Sequence, residues 1–310
     1  MALSILQMTL PVLVVIALGF AARRFHWFST EGLAGLKAVV GKITLPAVLF
    51  NAFLTAEYTL VTLVTFLTVY AALGIALALG FRLRRLNPRY GKFMPFLLTG
   101  FEGGMMGYAL FGLLYGSSQT HVFAMADVGQ TFFAFTTFLC ALQMVNGQKP
   151  TPGAVTKNML TNPAFVGMSA GLVLGVLGVG KWLLASAAGP VVTSLLSFLT
   201  GPTAVLILLT VGYELSFHKE ILKPVLLTVG LRFAIMAGLC ALCSLVIFSL
   251  TPFQKPLQAE LLQGFSLPAP FIIPLYADVK GHGEYISTTL SLSTLLSVAL
   301  FAVIAAYCLA

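Results

Sequence analysis

The chain has 310 residues, of which 59% are apolar and only 8% are charged. Soluble domains carry a charge on roughly 25% of their residues, so this composition excludes a water-soluble fold of this length. One bilayer crossing takes roughly 20 apolar residues, which leaves room for about ten crossings and for no soluble catalytic domain. The sequence therefore predicts a multi-pass protein of the cell (inner or plasma) membrane that is not an enzyme.

Ten apolar runs mark the predicted spans, which we expect to be α-helical because lipid leaves no backbone group unsatisfied. Five runs contain no charged residue, four carry one or two charges, and 256–276 is short and rich in proline. The predicted fold class is thus an all-α membrane protein with ten transmembrane helices. In chain order the spans are 1–22, 36–54, 58–81, 93–115, 122–145, 158–180, 182–213, 224–250, 256–276 and 285–310.

Basic residues are distributed unequally among the connections between the spans. With alternating crossings, one set of connections receives twelve Lys and Arg residues, whereas the other receives only Lys181 and Lys255. Because basic residues collect on the cytoplasmic side, the sequence predicts both termini outside. Arg23 and Arg24 follow the first apolar run, which is the reverse of a cleaved secretory signal. The same bias explains the pI of about 9.4 without a nucleic-acid partner.

Three short motifs of the first half recur in order in the second half, at offsets of 152, 156 and 164 residues. Each half holds five spans, and an odd number makes the second half enter the membrane from the opposite side. The sequence therefore predicts a first repeat over 1–148 and a second, inverted repeat over 149–310. The matches are Thr9, Pro11 and Gly19 with Thr161, Pro163 and Gly171, Thr44 and Pro46 with Thr200 and Pro202, and 97–101 with 261–265.

Helix-disrupting residues occupy corresponding places in the fourth and ninth predicted spans. Because Gly and Pro both destabilise helices, we expect these spans to unwind near mid-membrane and to cross. The unwound ends then present N–H groups with partial positive charge, which suits a carboxylate substrate. The alternative is that the glycines allow close packing and the prolines only kink. The residues are Gly100, Gly103, Gly104 and Gly107 in the fourth span, and Pro268, Pro270 and Pro274 in the ninth.

Motifs along the whole chain resemble the auxin efflux carrier family of the bile acid/auxin transporter superfamily. They are "LPVLVVIALGFAARRFHWFSTEGLAGLKAVVGKITLPAVLFNAF", "LLTGFEGGMMGYALFGLLYG", "ADVGQTFFAFTTF", "LLTVGYELS", and "LPAPFIIPLYADV" with "LSLSTLLS". The resemblance, to compact prokaryotic members, implies a scaffold and a transport domain, each drawn from both repeats, with helices 4 and 9 crossed. It also implies a secondary transporter, by efflux or exchange, of a small organic anion such as a mono- or dicarboxylate. We expect access to alternate by an elevator-like or a rocking movement. The chain departs from the family at Leu98, Glu102 and Met105, where an Asn, an apolar residue and a Pro are usual.

Ionisable residues at membrane depth are candidates for coupling or charge recognition. Glu102, directly before the glycines, is a candidate proton carrier, or it is satisfied by the loosened backbone. Asp127 and Gln130 are three residues apart and share a helix face. The resemblance implies that Gln130 faces the substrate. Asp127 is a candidate for coupling or charge recognition, or it is a helix cap. Arg232 either pairs with Asp127 or Glu102, receives a substrate carboxylate, or snorkels to the interface.

The remaining candidates are polar or small residues near the predicted crossing. The substrate-binding set is Gly103, Gly104, Met105, Gln130, Asn51, Pro268, Ala269 and Pro270. Lys42 either steers anions or snorkels. Ser293 and Thr294 either bind substrate or bridge helices.

No motif predicts a metal site or a cofactor, since Cys240 and Cys243 form an isolated C-x-x-C in an apolar helix. The expected partners are a small organic anion, the lipid bilayer and a coupling proton, and a homodimer is compatible with them. Proton coupling or uniport is favoured over sodium coupling because the predicted crossing consists of glycines, methionines, prolines and alanine. The alternatives are a sodium-coupled organic anion carrier of the bile acid type and a non-transporting membrane ligand sensor.

Overall fold

The computed structural model describes residues 2–116, 119–273, 277 and 279–309. These residues are helical with short connections, and no strand occurs among them. Pro274 lies outside the described residues, as do the ends of three predicted spans at 1, 275–276 and 310. In chain order the helices are α1 Ala2–Arg24, α2 Thr30–Thr55, α3 Leu60–Leu83, α4 Met94–Leu97, α5 Gly103–Tyr115, α6 Thr120–Val145, α7 Pro152–Thr161, α8 Pro163–Val176, α9 Val179–Ala185, α10 Gly189–Glu214, α11 Leu222–Leu250, α12 Lys255–Ser266 and α13 Gly283–Leu309.

Seven helices in the described ranges are long and apolar enough to cross a membrane. They are α1, α2, α3, α6, α10, α11 and α13. The prediction of an all-helical, multi-pass membrane protein is therefore confirmed. The fourth, sixth and ninth predicted spans are not single long helices, and the seventh begins at Gly189 instead of 182, because 182–185 belong to α9.

The sixth predicted span differs from the expectation at its start. Instead of one helix from 158, α7 and α8 meet at an angle of 85°. Asn162 occupies the corner, and its side-chain oxygen accepts a hydrogen bond from the Phe165 N–H (3.0 Å), so it caps α8. Pro163 is the first residue of α8, where its missing N–H costs nothing. The Asn-Pro pair therefore ends one helix and begins another.

Two helix pairs pack through glycines at unusually close range. On α8, a Cβ added to Gly171 would lie 2.5 Å from the carbonyl oxygen of Phe50 in α2. On α1, a Cβ added to Gly19 would clash with the backbone of α10, and one added to Gly212 of α10 would clash with α1. Small residues allow such backbone approach where lipid provides no hydrophobic force between helices. The first half thus packs on the second at both places.

Several connections that carry basic residues meet at one end of the bundle, which we call the basic end. Arg23 donates a hydrogen bond (2.8 Å) to a carbonyl oxygen in the connection between α10 and α11. The ring of Tyr90, before α4, stacks on that of Tyr285 in α13, with centroids 4.2 Å apart. His218, before α11, forms a hydrogen bond with Thr288 of α13 (2.9 Å). The connections before α2, α4, α11 and α13 are thereby brought to the same end.

Candidate functional site

Two unwound segments meet inside the bundle. The first, residues 98–102, separates α4 from α5, and the second, residues 267–270, follows α12. The Glu102 N–H donates a hydrogen bond to the Pro268 carbonyl oxygen (2.9 Å). Gly100 has φ +69°, a conformation that favours glycine, and a Cβ there would lie 2.8 Å from the ring of Pro270. The expected unwinding at Gly100 and at the two prolines is therefore present, and the segments touch.

The carboxylate of Glu102 bridges the two segments. Its Oε1 accepts a hydrogen bond from the Met105 N–H (3.1 Å), in the first turn of α5. Its Oε2 accepts one from the Phe271 N–H (2.6 Å), beyond the second segment. An acidic N-cap satisfies N–H groups that a helix start leaves unpaired. The Glu102 carboxylate therefore accepts hydrogen bonds from backbone N–H groups at the interrupted helices. These are the groups that we expected to bind a substrate carboxylate.

We call the place where segments 98–102 and 267–270 meet the junction. Arg232 donates hydrogen bonds to backbone carbonyl groups at this junction. Its Nη1 donates hydrogen bonds to the carbonyl oxygens of Leu97 (3.0 Å) and, more weakly, Thr99 (3.5 Å). Its Nη2 donates to those of Gly100 and Leu267, both at 2.7 Å. Helix C-termini leave carbonyl groups unpaired and carry partial negative charge, so a cation between α4 and α12 is stabilising.

The environment of Arg232 corrects two expectations. The side chain is fully buried, so it does not snorkel. Within the described part of the chain it forms no ion pair with Asp127 or Glu102, because backbone carbonyls take its Nη donors. Arg232 and Glu102 instead satisfy the opposite ends of the interrupted helices.

Asp127 and Gln130 lie on α6 behind the first segment. Asp127 is buried, and its Oδ2 accepts a hydrogen bond from the Tyr108 hydroxyl (3.1 Å). A Cβ on Gly103 would clash with the other oxygen of Asp127, whereas one on Gly100 would lie 3.4 Å from Gln130 Nε2. Asp127 is not a helix cap, because α6 begins seven residues earlier at Thr120. The two residues therefore share the face that meets the glycines.

Two buried polar residues of α12 were missed by the sequence reasoning. Glu260 is fully buried, and neither of its oxygens has a hydrogen-bond partner among the described residues. Gln263, one turn later, donates from Nε2 to the Gly107 carbonyl oxygen (3.0 Å). Glu260 also interacts electrostatically with Asp127. The available signal was a single acid inside the apolar run 256–276, which is a functional candidate by default.

The other small or apolar candidates and Asn51 lie on the second segment, on α5 and on α2. Ala269 is buried between the two prolines of the second segment. Met105 and Gly104 lie in the first turn of α5, and a Cβ on Gly104 would contact Leu45 at 3.4 Å. Asn51 is half-buried on α2, six residues beyond Leu45.

Of the three outlying polar candidates, two are buried and one is exposed. Ser293 and Thr294 are buried on α13. Nearby Ser297 donates a hydrogen bond to the Ser266 carbonyl oxygen, which ties α13 to the end of α12. Lys42 is exposed, in a π-helical turn of α2.

A cavity of about 720 Å³ leads from the basic end towards the junction. It is lined by α1, α2, α10, α13 and Phe271, whose N–H is bonded to Glu102. Arg23, His26, Lys37 and His218 face it, together with Glu214. We call this space the basic cavity.

No family model matches this chain, and no curated protein matches it. The chemistry that the site permits therefore follows from its own side chains. Positive charge in a partly enclosed cavity attracts anions. Unwound backbone beside that cavity is the arrangement in which transporter folds bind substrates.

Proposed function

We propose that the protein is a secondary transporter of a small organic anion, such as a mono- or dicarboxylate. The observation that carries the proposal is the basic cavity, whose lining includes Phe271, the residue whose N–H is hydrogen-bonded to Glu102 beside the two unwound segments. Such segments can change their relative position without unfolding long helices, because each already ends a helix. Alternating access then proceeds by movement of the junction relative to the helices that line the cavity. The resemblance to auxin efflux carriers supports the same activity.

The proposed architecture is ten spans in two inverted repeats, 1–148 and 149–310, in which the fourth and ninth are interrupted and crossed. The glycine contacts support it, because Gly19 and Gly171 are one of the repeated pairs in the sequence. Gly19 packs on α10 of the opposite half, and Gly171 packs on α2 of the opposite half. A pseudo-two-fold axis between the halves produces this exchange of partners. Placing the basic end in the cytoplasm follows from the positive-inside rule.

The proposed coupling ion is a proton, with Glu102 and Asp127 as its candidate carriers. Sodium remains the alternative coupling ion. One observation in the structure supports sodium, although the sequence argued against it. The expectation against sodium assumed a crossing without polar side chains, yet Glu260 and Gln263 present oxygens that have no partner among the described residues. Carboxylate and amide oxygens suit hard cations.

Uptake into proteoliposomes tests the proposal. Labelled acetate, malonate, succinate and indole-3-acetate are offered under an inward proton gradient, an inward sodium gradient or neither. We expect saturable uptake of at least one carboxylate, stimulated by one gradient. Empty liposomes provide the control. Ligand-dependent thermal stabilisation without uptake of any of the four would favour the sensor and refute transport.

A further inference from the structure

We infer that Lys37 is the first receptor for the substrate carboxylate and that Glu214 is its internal competitor. Binding of an anion in the basic cavity then exchanges the Lys37–Glu214 ion pair for a Lys37–substrate pair. The inference rests on the proposed transport function and adds to it a recognition residue and a class of ligand.

The geometry of the ion pair permits this exchange. Lys37 Nζ lies 2.7 Å from Glu214 Oε1, and the side chains are 36% and 41% exposed. Both residues line the basic cavity, so a solute inside it reaches the pair directly. Exposed pairs of this kind are weak, because water solvates both charges and two long side chains lose freedom. A soluble carboxylate can therefore compete with Glu214.

Two other basic residues of the cavity form hydrogen bonds to neutral groups. Arg23 Nη1 donates to the Leu215 carbonyl oxygen (2.8 Å), and Nδ1 of His218 is hydrogen-bonded to Thr288 (2.9 Å). Lys37, in contrast, is held only by a displaceable carboxylate in this structure. Lys37 and Phe271 line the same cavity, and the Phe271 N–H is hydrogen-bonded to Glu102. This position suits a charge that receives an anion before it reaches the unwound segments.

The pair is not needed to hold α10 against the start of α2. The Tyr213 ring stacks on that of Phe28, with centroids 5.0 Å apart, and its hydroxyl donates to the Phe28 carbonyl oxygen (3.2 Å). These contacts lie one residue from Glu214 and involve neither side chain of the ion pair.

Apolar side chains define the rest of the ligand. Val211, Leu290 and Phe271 line the same cavity. A ligand that places a carboxylate on Lys37 therefore lays its body against apolar surface. A carboxylate that carries an apolar portion should therefore bind more tightly than acetate.

Kinetics of the two single variants test the inference, because the partners of one ion pair should change KM in opposite directions. Glu214→Gln frees Lys37 and should lower KM about two- to five-fold. Lys37→Gln removes a charge-assisted hydrogen bond and should raise KM about tenfold. If the ion pair only held the two helices together, both variants would change KM in the same direction.

Each of two matched control variants removes one charge from a residue that does not line the basic cavity. Lys157→Gln lies on α7, and Glu220→Gln lies at the basic end; both residues are exposed, and neither lines the basic cavity. Neither should change KM by more than about 1.5-fold, because exposed charges at a distance are screened by salt.

The outcomes separate this inference from the proposed function. If the wild-type protein transports none of the four carboxylates, the proposed function is refuted and the inference falls with it. If the wild-type protein transports but Glu214→Gln leaves KM unchanged or raises it, the inference alone is refuted. An equal fall in KM for Glu220→Gln would also overturn it, because the effect would then be one of general surface charge.

Discussion

Replacing Arg232 by Met should destabilise the junction strongly, although the substitution makes α11 more apolar. Met has a similar length and fills much of the same space, so packing is largely retained. It cannot donate to the carbonyl oxygens of Leu97, Gly100 and Leu267, which the guanidinium reaches at 2.7–3.0 Å. The predicted effect therefore comes from unpaired backbone carbonyls.

The magnitude follows from those three bonds. A buried acceptor left without a donor costs about 1–3 kcal/mol, which gives about 3–9 kcal/mol for three carbonyls. We take the lower end, about 3 kcal/mol, because neighbouring sites are not additive and a water molecule can enter. At roughly 2 °C per kcal/mol for a chain of this size, the melting temperature should fall by about 6 °C or more. Arg232→Lys should be intermediate, because a point ammonium cannot span carbonyls on both segments.

A thiol-reactive fluorescent dye in detergent measures the change. Cys240 and Cys243 are free thiols, buried on the same helix as Arg232, so unfolding exposes them. Arg82→Met is the matched control, because Arg82 is exposed near the end of α3, and its melting temperature should stay within about 1 °C of wild type.

Two results would refute the reasoning. A melting temperature of the Arg232→Met variant within 2 °C of wild type would show that the carbonyls do not need the guanidinium. Rescue of that variant by Glu102→Gln would show that Arg232 acts by balancing the buried charge instead. We expect no rescue, because the two side chains satisfy different backbone groups.

Three further predictions concern the glycines, coupling and topology. Gly103→Ala should reduce transport and lower stability by about 1–3 kcal/mol, because its Cβ would clash with a buried carboxylate; Gly104→Ala, with its nearest neighbour at 3.4 Å, should behave like wild type. Equal behaviour of the two alanine variants would contradict this packing. If Glu102 carries the coupling proton, Glu102→Gln should still exchange substrate for substrate but should not accumulate it under a pH gradient; retained pH-driven accumulation would exclude that role. In a chain without native cysteines, Glu57→Cys should react with an impermeant external thiol reagent and Gln148→Cys should not, both positions being exposed; the reverse labelling would invert the proposed topology.

Much of the candidate site could be anticipated from residue type alone, but its bonding could not. Gly100 and Pro268 predicted unwinding because their backbone preferences are local. Glu102 and Arg232 were identified because charges in apolar runs are rare. Backbone N–H groups satisfy Glu102, as one of its two alternatives predicted. Backbone carbonyls satisfy Arg232, which none of its alternatives predicted, because a buried charge can equally pair with another charge or a substrate. Glu260 was not predicted, although a single acid inside an apolar run is the same signal that identified Glu102.

The sequence by itself determined the class of protein, the positions of most spans and the two interruptions at residues 98–102 and 267–270. These properties depend on composition, hydrophobic length and the preferences of single residues, all of which are local. The tertiary structure alone decided what satisfies the interrupted backbone. Arg232 is separated by 135 residues in sequence from Leu97, and Glu102 by 169 from Phe271. Hydrogen bonds act over about 3 Å, so only the packing of helices from both halves determines which of these distant groups meet.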